Sequence, residues 1–314
     1  MEKKIINLIL LLSSLFIASR CLPPRIGGDG KLSIVGKNNI DIAYGFDIKN
    51  NYAFLGTNTG LLILDISNRE KPLEVTELEL GFIRKVTVID RIVYLCGAGN
   101  GLIIVDVSDV KKPQVLGRYQ DHGEIYGFAK SGSYAYICDR LEGIKVIDIQ
   151  DPSHPKKISQ WTNGGQYWEI EIRNDIAYVA DVINGLELID ISDPNSLSLI
   201  TTIPNTKGAS SVQIEDKKIC LGSHHGVKVF EIENPRAPQL IMSTLDDQEV
   251  LTGYLSKNLL FAGADGISVF DVTTPNKPIQ LANWTITGGV HGIIYDGQYI
   301  YTAKLGFYIL TIEK

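Results

Sequence analysis

The chain contains few of the residues that form disulfide frameworks, redox centres or Met-rich surfaces. Its 314 residues include only 4 Cys, 5 His and 2 Met. Apart from Cys21 near the N-terminus, the cysteines are Cys96, Cys138 and Cys220, an odd number with wide spacing. Such a set does not make a disulfide framework. We therefore predict that these three thiols are free and buried, where cysteine packs as a small apolar side chain.

Sequence motifs of common enzyme classes are also missing. The chain has neither the Gly-x-Ser-x-Gly turn of many hydrolases nor a glycine-rich phosphate loop that opens a helix. No segment beyond the N-terminal region has the 3.6-residue periodicity of an amphipathic helix. The formal net charge is −6, and an acidic protein is a poor partner for a phosphate backbone. These features argue against nucleic-acid binding, and they predict no cofactor and no metal site.

What the chain does contain is a repeat of about forty residues. In each copy a glycine opens a short apolar strand, as in Gly60-Leu-Leu-Ile-Leu-Asp65 and Gly101-Leu-Ile-Ile-Val-Asp106. The seven glycines are Gly60, Gly101, Gly143, Gly185, Gly226, Gly266 and Gly306, and they lie 41, 42, 42, 41, 40 and 40 residues apart. A fixed period of this length with several short strands per unit is typical of a β-propeller. We predict an all-β, seven-bladed β-propeller with four-stranded blades over residues 31–314; a β-solenoid is the alternative.

Each unit divides into four strand-like pieces, which we name A to D. In the third unit they are predicted at residues 125–129, 134–137, 143–149 and 156–161. The seventh unit ends after strand C, whereas residues 31–37 resemble the D strands of other units. We therefore predict that this N-terminal strand completes the last blade and closes the ring, because closure removes an exposed strand edge.

An acidic residue ends strand C in six of the seven units. These residues are Asp65, Asp106, Asp148, Asp190, Glu231 and Asp271. A carboxylate at this position accepts hydrogen bonds from backbone N–H groups of the turn that follows. We predict this structural role, rather than a ring of cation ligands.

The strand C segment resembles a known family. The pattern Gly-Leu-x-Val/Ile-Ile/Val-Asp-Ile/Val-Ser, followed by Asp-Pro and a second Pro, looks like the LVIVD-repeat family of bacterial propeller proteins. The segment Leu102-Ile-Ile-Val-Asp-Val107 matches it most closely, and the seventh unit, with Leu310-Thr311, departs most. The resemblance covers residues 31–314. It implies a propeller that is exported or attached to a cell surface, and it implies no particular chemistry.

The N-terminus has the pattern of a secretory signal. Lys3 and Lys4 precede an apolar run from residue 5 to residue 17, which is too short to span a bilayer comfortably. We predict a signal peptide over residues 1–20 and a short tether over residues 21–30.

The residues at the end of this signal resemble a bacterial lipobox. Ala18-Ser19-Arg20-Cys21 has small residues before a cysteine, although Arg20 stands where the lipobox usually has a small residue. We expect lipidation of Cys21, which would anchor the protein to a membrane of the cell envelope or surface. The alternatives are ordinary signal cleavage, which would leave a secreted or periplasmic protein, and an uncleaved anchor.

Positions where the units differ are candidates for a binding site. Alignment of the units brings together one position near the start of strand A, the innermost strand, where side chains reach the mouth of a central channel. Its occupants are Tyr44, Arg84, Tyr126, Trp168, Ser210, Leu251 and His291. Aromatic, cationic and imidazole side chains around one opening are typical of a binding surface. The candidate site residues are Tyr44, Arg84, Tyr126, Trp168 and His291, with His122 and Glu124 from a D–A connection.

The leading functional hypothesis is a non-enzymatic, monomeric binding platform at the cell envelope or surface, which takes a protein or a small-molecule ligand at this mouth. One alternative is a hydrolase- or lyase-type enzyme in which His122, His291 and Glu124 act as acid–base groups. Another is a structural subunit of an envelope complex, with contacts at the blade edges or on the opposite face.

Overall fold

A computed structural model describes residues 30–286 and 289–313. Within these ranges the protein is all-β, with 28 strands and no helix. It follows that the described residues contain no helix of the length and apolar character needed to cross a membrane. The signal peptide predicted over residues 1–20, Cys21 and all but the last residue of the predicted tether lie outside the described residues.

The strands follow the predicted repeat. Strand β1 (Gly30–Asn38) comes first and precedes seven sets of strands. The first set is β2 (Gly45–Lys49), β3 (Tyr52–Gly56), β4 (Gly60–Asp65) and β5 (Leu73–Glu79). The next are β6 (Lys85–Ile89), β7 (Ile92–Gly97), β8 (Gly101–Asp106) and β9 (Gln114–Tyr119). They continue as β10 (Ile125–Ser131), β11 (Tyr134–Asp139), β12 (Gly143–Asp148) and β13 (Lys156–Trp161).

The second half has the same order. It comprises β14 (Tyr167–Arg173), β15 (Ile176–Asp181), β16 (Gly185–Asp190) and β17 (Ser198–Thr202). It continues with β18 (Ala209–Glu215), β19 (Lys218–Ser223), β20 (Gly226–Glu231) and β21 (Gln239–Thr244). The last strands are β22 (Thr252–Ser256), β23 (Leu259–Ala264), β24 (Gly266–Asp271), β25 (Ile279–Thr285), β26 (Ile293–Tyr295), β27 (Ile300–Lys304) and β28 (Gly306–Ile312).

The strands pair into the four-stranded sheets of a propeller-like fold. Strands β2 to β21 form five sheets, each of four strands that are consecutive in the chain and antiparallel. This order is not that of β-solenoid coils. The remaining strands form one eight-stranded sheet in the order β22-β23-β24-β25-β1-β28-β27-β26. Strand β1 pairs with β28 in antiparallel fashion from Leu32 to Asn38, as predicted for residues 31–37, and meets β25 at only two residue pairs.

The middle strands of each sheet are apolar on both sides because both of their faces are covered. In β4, β8, β12 and β16 every residue is buried except the final aspartate, which is partly exposed. The described residues contain seven hydrophobic clusters. Six of them combine side chains from two different sheets, and the one around Phe261 and Tyr308 lies between the β22–β25 part and the β26–β28 part of the eight-stranded sheet. One of them joins Phe46 and Leu55 near the start of the chain to Tyr301 and Phe307 near its end. The stabilisation that comes from buried apolar area, about 25 cal/mol per Å², is therefore distributed over these contacts between neighbouring strand sets.

The repeated glycine of strand C is explained by its backbone. Gly143 and Gly266 have φ values of 98° and 140°, which L side chains rarely adopt. A Cβ atom at Gly143 would lie 2.1 Å from the carbonyl oxygen of Trp161, and one at Gly266 would lie 1.9 Å from that of Trp284. The glycine thus permits both the turn and the close approach of strand D.

The repeated aspartates have the predicted structural role. The Oδ1 atoms of Asp65, Asp106, Asp148, Asp190 and Asp271 each accept a hydrogen bond of 2.7–3.0 Å from the backbone N–H two residues later. Glu231, the sixth acid, is exposed. The prediction for the thiols is also confirmed, because Cys96, Cys138 and Cys220 are free and buried.

Deletion of residues 31–37 is expected to destabilise the whole domain. It would remove the strand paired with β28, uncover the buried side chain of Leu32 and leave an open edge. We expect a loss of several kcal/mol in the free energy of unfolding, from ladder hydrogen bonds of about 1 kcal/mol each and the burial of Leu32. Urea denaturation of the full and deleted chains measures this, and an unchanged transition would contradict the role of β1.

Two single substitutions in β1 provide a matched control. Leu32 is 6% exposed and Ile34 is 51% exposed, although both lie on the same strand. Leu32→Ala is expected to cost about 2–4 kcal/mol, as for other buried leucines. Ile34→Ala is expected to change the free energy of unfolding by less than about 0.5 kcal/mol.

Candidate functional site

The first strands of the seven sets surround one cavity. Residues of β2, β6, β10, β14, β18, β22 and β26, or immediately before them, line a space of about 470 Å³. All seven residues of the aligned position are among the lining residues: Tyr44, Arg84, Tyr126, Trp168, Ser210, Leu251 and His291. The repeat alignment therefore brought together residues that are neighbours in space. Their role in binding stays a prediction.

His122 and Glu124 lie outside the cavity lining. Both are exposed on the segment that precedes β10. Glu124 is connected to the mouth through Arg140, because its Oε2 atom lies 3.0 Å from Arg140 Nη1 and the Arg140 guanidinium lies 6.0 Å from the centre of the Tyr126 ring. Glu124 is thus a rim residue that holds Arg140 near an aromatic side chain.

One side of the mouth is a row of planar side chains in contact with one another. The guanidinium carbon of Arg84 lies 3.6 Å from the centre of the Tyr126 ring, a close cation–π contact. The rings of Tyr126 and Trp168 are 5.2 Å apart between centroids and inclined by 50°. Tyr44 makes an edge contact with Phe82, with ring centres 4.7 Å apart. These contacts hold large planar side chains in fixed positions around the opening.

The adjoining side carries a cationic cluster. Nε2 of His291 lies 2.7 Å from Nζ of Lys304, an ammonium that can only donate. Burial, followed by the positive charges of Lys304 and Arg84, lowers the pKa of His291 to about 4. The imidazole is therefore neutral at pH 7 and accepts the hydrogen bond from Lys304. Burial and the charge of Arg84 also lower the pKa of Lys304, and burial lowers the pKa of Arg84.

Lys304 was not selected from the sequence, although a signal for it existed. It is the last residue of strand B in the seventh unit. Lys304 pairs with the strand C glycine of its unit. The other units have small or acidic residues at this position: Thr57, Gly97, Asp139, Asp181, Ser223 and Ala264. A single lysine among small or acidic residues marked the position as a departure from the repeat.

Further along the first strands, the cavity contains an ion pair and a further carboxyl group. Nζ of Lys85 and Oε2 of Glu169 are 2.7 Å apart, although the residues belong to β6 and β14. Burial by itself would lower the pKa of Lys85, but the charge and hydrogen bond of Glu169 outweigh it and raise that pKa. Burial, reinforced by the charge of Glu169, raises the pKa of Glu171 to about 7. Glu169 is thus bound to Lys85, as His291 is to Lys304.

Asp47 also faces the cavity, and its contacts are structural. Its carboxylate accepts hydrogen bonds of 2.7 Å from the backbone N–H groups of Ile48 and Val88. The second bond joins β2 to β6. Burial nevertheless raises the pKa of Asp47 above its usual value.

Two neighbouring sheets carry buried charged side chains, Lys145 in β12 and Glu187 in β16. Nζ of Lys145 in β12 lies 2.7 Å from Asp121, 2.8 Å from Asp139 and 2.9 Å from Glu142, and the lysine is 2% exposed. In β16 the equivalent residue, two positions after the glycine, is Glu187.

Glu187 is fully buried, and its two carboxylate oxygens differ in their hydrogen bonding. Its Oε1 atom accepts a hydrogen bond from Asn163, whereas its Oε2 atom has no hydrogen-bond partner among the described residues. Burial raises the pKa of Glu187 to about 7, with a further contribution from the charge of Asp181. The described residues contain no group of three or more His, Cys, Asp or Glu side chains placed to hold a metal ion.

Comparison with known proteins identifies the repeat and the fold. The family model described as LVIVD repeat matches residues 42–78, 83–121, 127–162 and 164–204. No curated protein matches the sequence at a significant level.

Two solved structures are similar over most of the chain. One is the computationally designed Ika8 protein, with a TM-score of 0.65, 14% identity, and coverage of 89% of this chain and 98% of the other. The second is a catalytically inactive His-to-Ala variant of virginiamycin B lyase from Staphylococcus aureus with quinupristin. It has a TM-score of 0.71, 15% identity, and coverage of 90% of this chain and 99% of the other. At these identities the likeness concerns the fold alone.

Replacement of Lys145 is expected to be strongly destabilising. Lys145→Met would leave Asp121 and Asp139 buried without their cation. Loss of one partner from a buried ion pair costs about 3–5 kcal/mol. Urea denaturation at pH 7 measures the difference, with Lys217→Met as the control because the Lys217–Glu233 pair is exposed and is worth about 0–1 kcal/mol. Equal effects of the two substitutions would contradict this role.

Glu187 is expected to make stability depend on pH. Its pKa is about 7 in the folded protein against a reference value of 4.5. Between these values the folded state holds a proton that the unfolded state releases, so the free energy of unfolding falls as pH rises. Glu187→Gln is therefore expected to be more stable than the parent protein at pH 8, by about 2–3 kcal/mol, and equal to it near pH 4.

Denaturation across pH 4–8 measures this dependence, with the exposed Glu233→Gln as the control. A difference between Glu187→Gln and the parent protein that is the same at every pH would contradict the titration of Glu187.

Proposed function

The chain belongs to the LVIVD-repeat family, and from this premise we propose that it is a non-enzymatic binding platform in the form of a closed, seven-bladed propeller. The protein is exported and acts at the cell envelope or surface, where the mouth of the central cavity takes up a ligand or partner. The observation that carries this proposal is the gathering of seven side chains of six types around one cavity in an otherwise regular repeat.

The sheet pairings support seven blades and ring closure. Five sheets are one blade each. The eight-stranded sheet corresponds to two blades, β22–β25 and β26–β28 with β1, because strand pairing between the two parts is limited to Gly30–Ala282 and Lys31–Asn283 in the described residues. The hydrophobic cluster that joins Phe46 to Phe307 lies between the first and last blades, as a closed ring requires.

The chemistry of the mouth supports binding over catalysis. Tyr126, Trp168 and Arg84 are residue types that dominate binding energy at interfaces, and here they form a row in which each contacts the next. His291, the imidazole nearest to a catalytic role, has a pKa of about 4 and already accepts a hydrogen bond from Lys304. A base with so low a pKa is weak at neutral pH.

Lyase activity is the second candidate. It is favoured by the structural likeness to virginiamycin B lyase, in which a histidine is needed for catalysis, and by the carboxyl group of Glu171, whose pKa of about 7 suits acid–base chemistry. The likeness at 15% identity is one of fold, so the platform remains the better-supported function.

Export follows from the N-terminal sequence. The basic residues, the apolar run up to residue 17 and Cys21 have the order of a lipoprotein signal. Lipidated Cys21 anchors the propeller to a membrane, and the following residues act as the tether.

Affinity capture with the full chain tests the platform. The bait is compared with a triple variant, Tyr126→Ala, Trp168→Ala and His291→Ala, and every captured partner is rebound in purified form. Loss of three mouth side chains is expected to weaken a genuine partner by about 100-fold or more. Both baits are checked for folding by circular dichroism.

A matched control carries three substitutions on the outer strands: Leu73→Ala, Leu199→Ala and Leu240→Ala. These side chains are 54%, 42% and 54% exposed. The platform predicts that this control keeps the partner. A partner lost by the outer variant and kept by the mouth variant would overturn the proposal in favour of a structural subunit with edge contacts.

A further inference from the structure

The mouth contains two cations that have no anionic partner in the described parts of the chain. Arg84 stacks on Tyr126, and Lys304 donates to the neutral His291. By contrast, Lys85 and Lys145 are each paired with carboxylates at 2.7–2.9 Å. Two partly buried positive charges held close together repel each other, and they are stabilised when an anion binds between them.

One further side chain that lines the cavity has a donor without a hydrogen-bond acceptor among the described residues. Nε1 of Trp168 is buried and has no hydrogen-bond partner among the described residues. Ser210, by contrast, donates its hydroxyl to the backbone oxygen of Val250 at 3.0 Å. A buried N–H group without an acceptor is costly, and such groups call for an explanation such as a missing ligand. The mouth thus combines two cations without an anionic partner and one buried N–H group without an acceptor.

The aromatic side chains favour a planar apolar group in the ligand. Tyr126 and Trp168 are within 5.2 Å of each other between ring centres, and both line the cavity. Planar apolar groups bind well against such rings, with an additional contribution beyond the area that they bury. A volume of about 470 Å³ is in the range of pockets for small organic molecules.

Carboxyl groups further along the strands limit where the negative charge of the ligand can lie. Glu169, Glu171 and Asp47 all face the cavity, and the charge of Glu169 is compensated by Lys85. A second negative charge at that depth would be repelled. The ligand therefore carries its charge at one end, beside Arg84 and Lys304.

We infer that the mouth binds a small organic anion, with a carboxylate or phosphate head held by Arg84 and Lys304 and a planar body packed against Tyr126 and Trp168. This inference rests on the proposed function and specifies the ligand class of the same site. The head group is chemically the same whether it belongs to a free metabolite or to the end of a larger molecule.

Isothermal titration of the full chain at pH 7 with a panel of small probes tests the ligand class. Indole-3-acetate and phenyl phosphate carry both ring and anion, inorganic phosphate carries only the head, and benzylammonium carries the ring with the opposite charge. The first two are expected to bind at least about 10-fold more tightly than inorganic phosphate, and benzylammonium more weakly than any of them. Raised salt is expected to weaken the binding of the ring-bearing anions.

Substitutions locate the binding. Arg84→Met and Lys304→Met are each expected to weaken phenyl phosphate by about 10-fold or more, since bonds to charged groups contribute strongly. Lys217→Met removes an exposed lysine of the surface Lys217–Glu233 pair and is expected to leave the affinity unchanged. Thermal denaturation of each variant shows whether it is folded.

The outcomes separate this inference from the proposed function. Equal affinity for benzylammonium and phenyl phosphate, or full affinity in both mouth variants, would overturn the anionic ligand. If capture of a partner depends on the mouth while no anionic probe binds, the ligand class is wrong and the platform stands. If capture of a partner and binding of the anionic probes both require the mouth residues, the platform and the ligand class are both supported.

Discussion

The structure depends on the packing of each sheet against the next. Of the seven hydrophobic clusters of the described residues, six bridge two sheets and one bridges the two parts of the eight-stranded sheet; the cluster around Phe46 and Phe307 joins the two ends of the chain. In the described residues, each of the five four-stranded sheets shares its hydrophobic clusters with its neighbours, so each is stable only between them. The same packing holds the first strand of every set beside the central cavity. The binding surface is therefore a consequence of how the blades cover one another's apolar faces.

The first strands can approach one another closely because, in most units, the residue after the aligned mouth residue is small. A Cβ atom at Gly45 would lie 2.2 Å from the carbonyl oxygen of Arg84, and one at Gly127 would lie 3.0 Å from Glu169 Cα. The two long residues at the equivalent positions, Lys85 and Glu169, extend into the cavity and pair with each other. A regular backbone thus presents variable side chains at one place. Function in such a repeat is expected where the units differ, as in the stack of Arg84, Tyr126 and Trp168.

Much of the fold was predictable because the sequence repeats every forty residues or so, and each repeat forms the same strands. The D strand predicted at residues 156–161 coincides with β13, and the repeated aspartates cap their turns as expected. The mouth residues could be found by aligning the units, since equivalent positions in a repeat are equivalent in space. The contacts of Lys304, and the pairing of Lys85 with Glu169, could not be found in this way. They depend on how far a long side chain reaches across the cavity, which the strand pattern does not determine.

The most direct test of this account is a crystal structure of the protein grown with 4-bromobenzoate, in which bromine can be located by its anomalous scattering. The account predicts a bromine peak inside the mouth of the cavity beside Tyr126 and Trp168, with the carboxylate density between Arg84 and Lys304. Peaks confined to the outer strands, together with an empty mouth at saturating ligand, would contradict it.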